Sequence, residues 1–150
     1  MKALYKILAL VGLGLAFASC TTNLDIHKLD ESSNFVAPTL SSPGSIVITA
    51  ADVAAEKAVT FSWSAAYFGQ PTEISYAIIA TYGSITNTIF TGLSGKSYDA
   101  KSGELSDKLT AMGVPTGSTV NVDFVISSTI GTDFQSVDSK KYSIPVTINQ

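Results

Sequence analysis

Twelve carboxylates and one histidine are the groups in this 150-residue chain best suited to moving protons. Asp99, Glu104 and Asp107 lie close in sequence, whereas Glu73, Asp123 and Asp133 are scattered. Hydrolysis of a glycosidic bond needs two carboxylates facing each other across a cleft, about 5–9.5 Å apart depending on mechanism. The spacing here specifies no such cleft, and Asp and Glu are mostly solvated residues. These acids therefore read as surface and cap groups. His27 is the single histidine. Without a second imidazole or a thiolate it cannot make a transition-metal site. The chain has no Gly-x-Ser-x-Gly elbow, P-loop or calcium loop. It reads as a non-enzyme that needs no cofactor and no metal.

Aromatic side chains offer the other chemistry. Sugars stack their apolar faces on Trp or Tyr while neighbouring polar groups bond the hydroxyls. Trp63 is the only tryptophan, but it lies in phase with Val59 and Phe61 and so belongs on a core face. Tyr67 and Phe68 follow that strand, with Gln70 nearby and Pro71 turning the chain out of the sheet. Tyr67, Phe68 and Gln70 are the candidate ligand-binding residues. The competing reading is that both rings cap the core. Phe134 also falls in an expected loop.

Cys20, the only cysteine, closes a stretch built for export. Lys2 and Lys6 precede an apolar run from Ile7 to Ala18, too short for a stable membrane span. Ala18 and Ser19 stand before the thiol. This layout resembles the lipobox of bacterial lipoproteins, although Phe17 stands where the motif prefers an aliphatic residue. The resemblance implies cleavage after residue 19, acylation of Cys20 and no free thiol. The remaining 131 residues would keep seven of the nine lysines and all twelve acids, a formal charge of −5. There is no arginine, and no basic face to hold a nucleic acid.

Residues 20–36 mix small polar residues with isolated Leu24, Ile26 and Leu29, as a flexible tether does. From residue 37 to 150 the pattern is that of one β domain. Ser45 to Thr49 reads as a short strand. Val59, Phe61 and Trp63 alternate with polar residues, as do Val120, Val122, Phe124 and Ile126. The run from Ile74 to Tyr82 is apolar on both faces at its middle and reads as central. Asn87 to Thr91 and Lys96 to Asp99 read as shorter strands. Tyr142, Ile144, Val146 and Ile148 form the last strand, where Pro145 implies an edge or a solvent-facing position. Ser102 to Met112 breaks the rhythm, with Leu105, Leu109 and Met112 on one helical stripe. Ser102 is the expected N-cap, Gly113 the C′ residue and Pro115 the stop. Another helical turn is expected within Ala51 to Lys57. About seven short strands imply an all-β, immunoglobulin/fibronectin-III-like two-sheet sandwich with one short crossover helix.

The run Phe61-Ser-Trp-Ser-Ala-Ala-Tyr-Phe-Gly, the Glu104-to-Gly113 helix and the closing Ile144-Pro-Val-Thr-Ile resemble the N-terminal domain of SusE-type outer-membrane lipoproteins. That resemblance covers roughly residues 37–150 and the lipoprotein signal. It implies an accessory protein of a starch-utilisation-like polysaccharide-uptake system, anchored by lipid in the outer membrane, at the cell surface or on the periplasmic side. It implies glycan binding or spacing, with starch-like or other polysaccharide and a transporter or lipoprotein complex as partners. In such proteins this domain resembles a spacer, and no binding residue is carried over. The alternative is a stand-alone structural or adaptor domain docking on a transporter or another lipoprotein.

Overall fold

Alternating apolar residues on extended backbone bury their shared face only when strands pair and a second layer covers them. The computed structural model describes residues 34–131 and 135–150, and there the alternation is realised. β1 (Phe35–Val36), β2 (Leu40–Ser41) and β3 (Ile46–Thr49) precede α1 (Ala50–Ala54). β4 (Ala58–Trp63), β5 (Tyr67–Phe68), β6 (Ser75–Tyr82), β7 (Ile85–Leu93) and β8 (Ser97–Lys101) lead to α2 (Ser102–Ala111). β9 (Thr119–Thr129), β10 (Val137–Asp138) and β11 (Tyr142–Asn149) follow.

The strands form an all-β sandwich. Its larger sheet has six strands, ordered β3-β11-β9-β6-β7, with β10 also paired to β9. Its smaller sheet has three, ordered β2-β4-β8. Aromatic pairs mark where the layers face each other. Phe61 of β4 meets Phe124 of β9 at 5.3 Å between ring centroids, and Trp63 of β4 meets Tyr76 of β6 at 5.4 Å. Both separations suit tilted aromatic contacts. Ile78, Ile126, Ile144, Val146 and Ile148 complete the buried face of the large sheet.

α2 carries the chain from the small sheet to the large one, as the helical stripe implies. Leu105, Leu109 and Met112 are buried. The helix ends in a Schellman turn: Val114 N–H donates to the Leu109 carbonyl at 3.1 Å and Gly113 N–H to the Thr110 carbonyl at 2.9 Å. Gly113 has φ +89°, a left-handed conformation that favours glycine. The start of the helix differs from expectation. Lys101 is the N-cap and makes no side-chain cap bond. Ser102 is the first helical residue, buried, and its N–H donates to the Lys57 carbonyl at 2.8 Å. A tertiary partner thus replaces the side-chain cap.

Two further details depart from the sequence reading, and a third decides between options it left open. Phe35 and Val36, expected in the tether, form β1, because Phe35 finds an aromatic partner in Phe68 at 5.2 Å. β7 is longer than its sequence pattern, since it bulges rather than stops near Gly92. β11 is not an edge: β9 pairs on one side and β3, parallel, on the other. Pro145 is exposed and lies one residue before the β3 register begins at Val146, so that ladder does not require its missing N–H.

Candidate functional site

The short link from β4 to β6 positions the one aromatic residue among the described residues that is exposed rather than buried or half-buried. Ser64 leaves β4 with its N–H bonded to the Thr39 carbonyl and its Oγ accepting from Thr39 N–H, each at 2.9 Å. Ala66 N–H then donates to the Tyr76 hydroxyl at 3.0 Å. Both ties hold the link against the sandwich. β5 follows, and its two residues face opposite ways, as strand geometry requires. Phe68 is 1 % exposed and packs on Phe35. Tyr67 is 43 % exposed and sits beside Val36, which is 54 % exposed. Gly69, at φ +83°, bends the chain away, and Gln70 is half-buried.

Of the three residues singled out in the sequence, Tyr67 and Gln70 are therefore accessible. Phe68 offers no ring face and supports β5 from beneath. Cys20, His27, Asp133 and Phe134 lie outside the described residues.

The same loop walls a groove of about 450 Å³. Thr72, Glu73, Ile74 and Ser75 line one side, Gly92, Leu93 and Ser94 another, and Gly131 closes it. The groove opens where β6 and β7 lose register, with Gly92 at φ +69° in the irregularity. Hydroxyls and one carboxylate dominate its polar lining, so it can bond a neutral polyol but has no cation for an anion. Sequence reasoning missed it because no periodic pattern marks a register shift between two strands distant from Gly131. The Thr72-Glu73 and Gly92-Leu93-Ser94 clusters signal loops and nothing more specific.

Among the described residues, three of the acids have separate partners. Asp99 accepts a bond from Thr60 Oγ1 at 2.6 Å, Glu104 pairs with Lys108 at 3.5 Å and Asp123 with Lys141 at 3.5 Å. Among the described residues, no cluster of His, Cys, Asp or Glu could hold a metal ion, and no helix is long and apolar enough to cross a membrane.

The family model for SusE outer membrane protein matches residues 25–127. No curated protein and no solved structure matches the chain. The family match spans well over half the sequence, and the chain belongs to that family of outer-membrane proteins.

Proposed function

We propose that this SusE-family chain is a lipid-anchored accessory protein of a polysaccharide-uptake system, and that its sandwich acts chiefly as a spacer. The family associates it with the outer membrane and the starch-utilisation system. The observation that carries the spacer reading is the inward turn of the aromatics. Phe61, Trp63, Phe68, Tyr76, Phe90 and Phe124 are all buried, and Tyr67 is the one exposed aromatic residue among the described residues. Cys20 is the anchor in this reading, residues 1–19 the cleaved signal and the segment from Cys20 toward β1 the tether. The strand order, in which β3 joins the larger sheet beside β11 while β2 joins the smaller, supports an immunoglobulin-like reading of the sandwich.

The exposed Tyr67 favours a second, weaker role. Its ring, with Gln70 beside it and Phe68 holding the strand in place, could stack one sugar while the neighbouring groove bonds hydroxyls. So small a patch supports affinity in the mM to high-µM range, about 4–6 kcal/mol. Neutral contacts of this kind depend little on salt. Electrophoresis through polysaccharide-loaded gels separates the readings. A spacer migrates as it does in an unloaded gel. Retardation that disappears in Tyr67→Ala supports the glycan contact, whereas retardation unchanged in that variant removes Tyr67 from it.

A further inference from the structure

β7 is a free edge of the larger sheet among the described residues, and its first half lacks the charged and proline guards against pairing. The chain carries no charge from Ile74 to Gly95, so no lysine, carboxylate or proline interrupts this strand. The inner face of its first half is left uncovered among the described residues. Asn87 lies opposite buried Ala80 and Ile85 opposite half-buried Tyr82, on the inner face, yet both are exposed, Ile85 by 46 %.

Two features define what this edge can accept. The first is register. Gly83 and Ser84 form a two-residue turn closed by the Tyr82–Ile85 pair. Such closing pairs are hydrogen-bonded, and alternation then points the N–H and C=O of Thr86 and Thr88 outward. After Thr88 the strand bulges: Thr88 faces Ile79, Phe90 faces Ile78, and Ile89 is the extra residue. Ile89 and Phe90 are accordingly both buried. A visiting strand therefore meets a regular edge only from Ile85 to Thr88.

The second feature is sequence symmetry. Ile85-Thr86-Asn87-Thr88-Ile89 reads the same in both directions. An antiparallel copy related by a two-fold axis at Asn87 sets Thr86 against Thr88, Asn87 against Asn87 and Ile85 against Ile89. The outward groups of Thr86 and Thr88 then bond each other and Thr–Thr cross-strand pairs form, while the Ile85–Ile89 positions fall at the bulge, beyond the regular edge. A two-fold interface is self-complementary by construction, which is what a palindromic strand supplies. The neutrality of β7 lets two copies of an acidic chain approach without like charges meeting.

We propose that β7 is a self-docking edge, through which two copies of this chain pair antiparallel about Asn87 and join their larger sheets. The interface is short, because the bulge ends it, and so the dimer is weak and reversible.

The test uses the full chain, purified in detergent from membranes and examined by sedimentation velocity and by oxidative cross-linking in whole cells. At submillimolar protein the unmodified chain should show a concentration-dependent dimer, and Asn87→Lys should weaken it by more than ~10-fold, as like charges meeting across an interface do. Asn87→Cys should cross-link readily, because residues opposed in a non-hydrogen-bonded pair have Cα atoms ~4.5 Å apart, within disulfide range. Ser84→Cys, at the hairpin tip, should not, and the unmodified chain reports any contribution from Cys20. A chain that stays monomeric, a dimer indifferent to Asn87→Lys, or equal cross-linking at positions 84 and 87 overturns the proposal. Capture of another protein's strand by β7 would appear as the first of these.

Discussion

Trp63 and Tyr67 stand four residues apart and meet opposite fates. Trp63 lies in phase with Phe61 on β4 and is 4 % exposed, against Tyr76. Trp63→Ala should cost about 3–5 kcal/mol, as for other large buried aromatics, measured by urea unfolding. Trp63→Phe should cost much less, since the indole Nε1 has no hydrogen-bond partner to lose. Tyr67→Ala removes an exposed ring and should change stability by no more than about 0.5 kcal/mol in either direction. The inward side of Trp63 was legible because six consecutive residues show the alternation. That Phe68 caps the core while Tyr67 does not was not legible, because a two-residue strand is too short to display a period. Its partner, Phe35, comes from a segment whose composition reads as linker.

At the scale of the element, local signals predict helix ends better than strand edges. Gly113 and Pro115 marked the end of α2, and the Schellman turn is where they placed it. Gly113→Ala should destabilise by about 1–2 kcal/mol, the cost of a Cβ in the left-handed region, since no neighbouring atom would clash with it. The start of α2 was misread because the Lys57 carbonyl, remote in sequence, takes the place of a capping side chain. α1 shows the opposite case, a start held by its own residues. Thr49 Oγ1 accepts from Asp52 N–H at 3.2 Å, and Asp52 Oδ2 accepts from Thr49 N–H at 3.0 Å. The Lys57 ammonium, followed by the Thr49 bonds, holds the Asp52 carboxyl down at about 2 from its ordinary 3.8. A lowered carboxylate contributes stability that is complete above its unfolded value and fades as pH falls from about 4 toward 2. Asp52→Asn should therefore flatten acid unfolding over that window. An unchanged acid-unfolding midpoint would remove Asp52 from the account. Which of the two options for Pro145 held, an edge strand or a solvent-facing position, was illegible for a related reason. Pro145 forbids one hydrogen bond, and only the register with β3 shows that none is required there.

For the whole molecule, the sandwich was legible from alternation, turns and the single helical stripe. The groove beside β6 was not, since it arises from a register shift between paired strands and a loop brought in from after β9. The proposed anchor makes a separate claim. Cys20→Ala should move the protein out of the membrane fraction or leave its signal uncut, because one short apolar run cannot hold a chain in the bilayer. Retention and cleavage as in the unmodified chain would exclude lipidation as the tie. Protease added to intact cells should then degrade the protein if it faces outward and spare it if it faces the periplasm. The spacer role is tested most directly by calorimetric titration of the full chain with starch-type oligosaccharides. The account predicts no binding tighter than the high-µM range, equivalent to about 4–6 kcal/mol. A low-µM dissociation constant, lost in Tyr67→Ala, would contradict it and make this domain a dedicated glycan receptor.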